Sequence, residues 1–247
     1  MTGRENGGAG GGMTVEHVVW DWNGTLLGDG PALIESTIEA FQACGLPAVT
    51  RESYQRHHVQ PIPLFYSRLA GRVLTDAEQR RVAAGFQNAY EKRRTAVTLT
   101  ADALPALRKW AAAGGRQSLL SMYPHDLLMP LVRSFGIGSF FTRVDGSAGR
   151  DVARKAPFLA RHLQVQGIDP ARTVLIGDSV DDVAAAEECG VRCIVYHAGA
   201  DALHHRSHFG SATAVSSLVA AIESVLEQAA GRNGGDVAGR GTAAGER

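Results

Sequence analysis

Four polar residues, far apart in the chain, each close a short apolar run or open a helical pattern. Asp21 ends the run His17–Asp21 (HVVWD), Ser121 ends Gln117–Ser121 (QSLLS), and Asp178 follows Thr173–Gly177 (TVLIG). Lys155 opens a helical stretch between the last two. Two carboxylates on one rim suit a hard cation such as Mg²⁺, which takes one or two carboxylates and fills its shell with water and phosphate oxygens. The Lys155 ammonium and the Ser121 hydroxyl would serve the remaining phosphate oxygens. An aspartate in such surroundings can attack phosphorus and become an aspartyl-phosphate.

Each residue also has a plainer reading. Asp21 could be a polar strand end, and Ser121 an ordinary turn serine. Asp182 could be a first-turn helix carboxylate favoured by the helix dipole. Lys155 carries extra weight because the chain has only three lysines (Lys92, Lys109, Lys155) and is otherwise biased to arginine; the two cations are not interchangeable. His197, His204, His205 and His208 match no zinc spacing and read as a solvated loop.

The elements that must position these groups are legible as a rhythm. Apolar runs at 17–21, 117–121, near 140–144, 173–177 and 191–196 read as strands. They alternate with helical patterns near 101–113, 124–135, 154–166, 181–189 and 215–229, which implies a parallel sheet covered on both faces. Ligands of such sheets bind beyond the carboxyl ends of the strands. Residues 31–98 break the rhythm. Helices are expected over 31–45, 50–57, 62–70 and 75–94, the last opened by the capping box Thr75-x-x-Glu78. No strand is expected there. The Arg80-Arg81 and Arg93-Arg94 pairs read as the solvated face of that last helix, and Trp22 as a packed residue.

Composition bounds the remainder. The 247 residues are 45% hydrophobic and 20% charged, enough for a sizeable core. Lys+Arg and Asp+Glu balance at 25 each, so no basic field recruits nucleic acid or anionic membrane. No apolar run reaches the roughly 18 residues of a membrane span. Three cysteines without metal or disulfide spacing point to reduced thiols and a cytoplasmic protein. Gly-rich residues 1–13 and 230–247 read as disordered tails, with Met13 a possible alternative start and no secretory signal.

In order, the motifs are Asp21-Trp22-Asn23-Gly24-Thr25, Leu119-Leu120-Ser121, Lys155-Ala156-Pro157 and Gly177-Asp178-Ser179-Val180-Asp181-Asp182. Together they resemble the haloacid dehalogenase-like hydrolase superfamily, in its phosphatase branch with a small helical cap (phosphoglycolate phosphatase-like). The resemblance spans about residues 16–225. It implies an α/β fold: a Rossmann-like parallel-sheet core (14–30 and 99–229) with an inserted all-helical cap (31–98) that closes over substrate. It also implies Mg²⁺ held by Asp21, the Asn23 main-chain carbonyl and Asp178, with Asp182 behind them or as an occasional fourth metal ligand, also orienting Lys155. Asp21 would be the nucleophile, and Ser121 and Lys155 would hold the phosphoryl group. His58, in the cap, would contact substrate. The expected activity is hydrolysis of a small phosphorylated metabolite by a monomer or homodimer.

The departure is Asn23. The family places there an aspartate that protonates the leaving oxygen, and an amide cannot. Three readings follow: a good leaving group that needs no proton, a proton from elsewhere (His58, His125 or the substrate), or a phosphate-ligand-binding protein with little or no catalysis. A dehalogenase, a mutase and a phosphonate hydrolase using Lys92 fit less well.

Overall fold

The structure is a computed structural model that describes residues 15–148 and 154–233, with side chains as far as Gln228. Strand β1 (His17–Trp20) is buried along its whole length. Val18 and Trp20 enter one apolar cluster and Val19 another, the period-two alternation of a strand with a core on each side. Around it lie β2 (Arg116–Pro124), β3 (Val144–Ser147), β4 (Thr173–Gly177), β5 (Arg192–Tyr196) and β6 (Ala214–Val215). All neighbours pair in parallel, in the order β3-β2-β1-β4-β5-β6. The connections run outward in opposite directions from β1, and the crevice at such a reversal is where this architecture binds ligands.

Between β1 and β2 the chain forms α1 (Gly30–Ala43), α2 (Arg51–His57), α3 (Ile62–Ala70) and α4 (Asp76–Arg94). These helices share a core of their own, built on Ile34, Phe41, Tyr54, Phe65, Tyr66 and Val82. Thr75 and Glu78 form the reciprocal capping box that starts α4. Two crossings tie this helical cap to the sheet layer: Gly28 N donates to Thr98 O at 2.9 Å, and Thr100 N to Leu26 O at 2.9 Å. Helices α5 (Ala103–Ala112), α6 (His125–Ser134) and α9 (Leu218–Asn233) cover the sheet face of Val18 and Trp20. Helices α7 (Ala156–Gln166) and α8 (Val180–Glu188) cover the face of Val19.

Some boundaries differ from expectation. β3 starts at Val144, because Gly138–Phe140 forms a 3₁₀ turn where the strand was expected. The two-residue β6 is too short to leave a pattern. Helix α9 starts at Leu218 and runs to Asn233, taking up 230–233 of the expected tail. The remainder of the expected tails, 1–13 and 234–247, lies outside the described residues.

Candidate active site

Parallel register puts the functional groups on one edge. Trp20 is level with Leu119 of β2 and Ile176 of β4. Asp21 therefore lies one residue beyond that line, and Ser121 and Asp178 two beyond, all at the carboxyl ends of adjacent strands. Lys155 reaches the same point from the N-cap of α7, and Asp182 from the first turn of α8. The Lys155 ammonium donates to Asp21 Oδ1 and to Asp182 Oδ1, and all three side chains are almost fully buried. Oxygens of Asp21, Asp178 and Asp182 lie within 4.8 Å of one another.

Three buried carboxylates face one ammonium, so with all three ionised two negative charges remain to be balanced. Burial, outweighing the Lys155 charge, pushes Asp21 up to about 7. Burial and the neighbouring Asp21 and Asp182 carboxylates raise Asp178 well above the usual range. Asp182 moves the other way: against its burial, the Lys155 charge and the Ser179 donors hold it low. Lys155 is held protonated because the two aspartates outweigh its own desolvation. Asp178 Oδ2 is buried with no hydrogen-bond partner; its other oxygen accepts from Thr25 Oγ1 at 3.4 Å. An orphaned carboxylate oxygen in a pocket where carboxylates outnumber cations fits a hard divalent cation such as Mg²⁺.

Asp182 carries both of its sequence readings at once. Its Oδ2 accepts from Ser179 N at 2.9 Å and from Ser179 Oγ at 2.6 Å, closing the capping box of α8, while Oδ1 holds Lys155. Both oxygens are engaged, whereas Asp178 keeps an oxygen without a partner. Asp181, read as a helix-start residue, accepts from the Lys155 main-chain N–H at 2.9 Å and steadies the same lysine. Ser121 Oγ accepts from Tyr123 N at 2.9 Å, leaving its own O–H to donate. Trp22 is fully buried, packed 6.2 Å from Phe135.

Asn23 is tied down. Its Nδ2 donates to Asp29 Oδ2 at 2.7 Å, and Gly24 N donates to Asp29 Oδ1 at 2.8 Å. Asp29 is fully buried and, through that burial, is pushed up to about 6 despite these donors. Sequence reasoning missed it. It stands at the N-cap of α1, yet its side chain makes no capping hydrogen bond there and instead accepts from the motif.

His58 closes α2 and lines the cleft between cap and sheet layer. Its Nδ1 lies 3.1 Å from His204 Nε2. Here the expectation of a solvated histidine loop is corrected: His204 is buried, with its pKa pushed down to about 4 by that burial and the adjacent His208. The loop packs against the cap and is therefore not uniformly wet. His125 instead accepts from Gly146 N, beside β3. At the surface of α4, Arg93 pairs with Glu39 at 2.8 Å, and the exposed Arg94 with Glu91 at the cleft mouth.

Comparison with known proteins agrees with this arrangement. The sequence profile of haloacid dehalogenase-like hydrolases matches residues 18–187. A phosphoglycolate phosphatase of Pseudomonas putida is 27% identical over 185 residues, covering 72% of this chain and 67% of that protein. One of Thiobacillus denitrificans is 26% identical over 198 residues, covering 74% and 85%. Among solved structures, a haloacid dehalogenase-like protein of unknown function from Agrobacterium tumefaciens superposes with a TM-score of 0.71 at 17% identity, covering 87% and 99%. A haloacid dehalogenase-like hydrolase from Streptococcus pneumoniae gives 0.68 at 15%, covering 87% and 98%. With six parallel strands in this order and the family profile running from β1 into α8, the chain belongs to the haloacid dehalogenase-like hydrolases.

Proposed function

We propose that this chain is a Mg²⁺-dependent phosphomonoester hydrolase working through an aspartyl-phosphate on Asp21. The observation that carries this reading is the buried Asp21–Lys155–Asp182 cluster beside the unpartnered Asp178 oxygen. Asp21, Asp178 and the Asn23 main-chain carbonyl would hold the ion, which when bound supplies positive charge to the phosphoryl oxygens. A carboxylate oxygen of Asp21 attacks phosphorus. Lys155, anchored by Asp182, and the Ser121 O–H neutralise and orient the equatorial oxygens. The cap helices exclude bulk water from the crevice. The substrate is a small phosphorylated molecule, and the free thiols of Cys44, Cys189 and Cys193 suit a cytoplasmic enzyme.

Asp21→Asn is expected to abolish phosphate release, and chelation of divalent cations to do the same reversibly. Retained turnover in Asp21→Asn would overturn the proposal. The second reading, a phosphate-ligand-binding protein, is favoured by Asn23 alone. It gains ground if the native protein is inert on every phosphate tested while Asn23→Asp becomes active.

A further inference from the structure

We infer that this site, taken as the phosphomonoester hydrolase above, is built for aryl phosphates, whose ring occupies the cleft under the cap and whose oxygen leaves as phenolate without being protonated. Two independent observations converge on that class.

The first is Asn23. Its Nδ2 is committed to Asp29, and the residue lines the cleft. The side chain can accept a hydrogen bond there but has no acidic proton to give. Of the other groups lining the cleft that could supply a proton, His58 is neutral, because burial, with His204 and His208 nearby, drives its pKa well below the ordinary value, and burial raises Tyr54, Tyr66, Tyr90 and Tyr123, which makes them weaker acids still. A leaving oxygen must therefore depart as an anion. An alkoxide does so poorly, whereas a phenolate spreads its charge into the ring.

The second is the cleft that opens above Asn23. It holds about 940 Å³, the upper part of the range of small-molecule sites. Tyr54, Phe65, Phe86, Tyr90 and Tyr123 wall it. Phe86 and Tyr90 lie parallel on α4, with centroids 5.7 Å apart and planes 9° apart. Ile62 and Leu127, which also line it, are large apolar side chains left exposed. Glu91 and Arg94 pair with each other at 2.5 Å on the exposed rim. A substrate carboxylate, such as that of 2-phosphoglycolate, would find no unpaired cation among the described lining residues. A nucleoside 5′-phosphate could place its base on the rings, but its leaving group is an alkoxide, and Asn23 disfavours it.

The step balances without a further reactant. Asp21 Oδ forms a bond to phosphorus as the P–O(aryl) bond breaks, and the electron pair leaves on the phenolate. Water then displaces Asp21 from phosphorus. Its oxygen ends in inorganic phosphate, one proton ends on the phenolate and the other on the phosphate.

The test is kcat/KM with Mg²⁺ on four kinds of substrate: substituted phenyl phosphates, benzyl phosphate (a ring, but an alkoxide leaving group), acetyl phosphate (a good leaving group, but no ring) and 2-phosphoglycolate. The expected result is a steep fall of log kcat/KM with phenol pKa, and phenyl phosphate at least about a hundredfold ahead of benzyl phosphate and 2-phosphoglycolate. Asn23→Asp, which restores an acid, should narrow the phenyl-to-benzyl gap by tenfold or more. Phe86→Ala should lower the phenyl-to-acetyl ratio by about tenfold. A flat dependence on phenol pKa, or 2-phosphoglycolate matching phenyl phosphate, overturns the inference and leaves the hydrolase standing, since acetyl phosphate would still turn over. No turnover of any of the four, by the native protein or by Asn23→Asp, removes both.

Discussion

Gly24 shows how closely the carboxylate centre is packed into the turn after β1. Its φ of +74° lies in the left-handed region, and a Cβ there would sit 2.3 Å from Asp178 Oδ2, the oxygen left without a partner. Gly24→Ala must therefore both strain the backbone, by about 1–2 kcal/mol, and push Asp178 out of place. Misplacement on the ångström scale costs about 10²-fold in rate, and that loss is expected in kcat. Mg²⁺ should raise the melting temperature of the native protein, because an ion that binds only the folded state stabilises it. That rise should be lost in Gly24→Ala. A variant that keeps both full activity and the Mg²⁺-induced shift would contradict the proposal that the ion binds beside Asp178.

At the scale of elements, β1, β2, β3 and α7 are joined beneath the site by a buried relay. Asp145 Oδ2 lies 2.7 Å from His162 Nδ1, and Ser118 Oγ lies 2.7 Å from both His162 Nε2 and His17 Nε2. The acceptor-only carboxylate fixes the tautomers. His162 donates to Asp145, Ser118 donates to His162, and His17 donates to Ser118, which leaves His17 Nδ1 the orphan acceptor observed. The distances are those of a nucleophilic triad, yet Ser118 is wholly buried in mid-strand, so the relay is structural. His17 is pushed down to about 4 by burial and by the charges of Arg116 and His162, and His162 is also lowered, chiefly by burial. A histidine whose folded pKa is depressed is fully compatible with the native state above its unfolded value of about 6.5, and that stability is lost as pH falls towards 4. Urea unfolding is expected to show roughly 2 kcal/mol less stability from His17 at pH 5 than at pH 8. His17→Asn should remove that part of the pH dependence, and an unchanged slope would refute the assignment.

Across the whole molecule, cap and sheet layer meet at the segment after β5. Gln55 Nε2 lies 2.8 to 3.2 Å from the carbonyls of Gly199, Ala200 and Ala202, and His205 N donates back to Gln55 O at 3.0 Å. Arg51 bridges Glu35 of the cap and Asp201 of this segment at 2.7 and 2.8 Å. Leu203 packs into the apolar core of the cap, and His204 meets His58. The exposed Arg51 pairs contribute little by themselves; the buried Leu203 and the shared carbonyls carry the docking. Gln55→Ala should loosen the cap without touching the carboxylate centre. The expected outcome is a several-fold change of kcat and KM together, with faster limited proteolysis in the crossings near 28 and 98. Unaltered kinetics and protease resistance would mean that the cap is held elsewhere.

The chain itself determines the sheet and the carboxyl-edge cluster. Short apolar runs ending in Asp21, Ser121 and Gly177-Asp178 are local signals, and a parallel register can only deliver their ends to one edge. Lys155 and Asp182 follow for the same reason, since each sits at the start of a helix packed on that edge. Contacts that no local pattern encodes were decided by tertiary structure. His58 and His204 meet across 146 positions of sequence, and His204, alone of the four histidines in its loop, is buried where the loop packs on the cap. Asp29 looks like a helix cap until the turn at 22–27 folds back and hands it Asn23 and Gly24. The aromatic cleft is likewise invisible along the chain. Tyr54, Phe86, Tyr90 and Tyr123 come from three separate helices and strands, and which face each ring presents depends on how those elements pack. Burial and facing are long-range quantities, whereas the position of a carboxylate at the end of an apolar run is a short-range one.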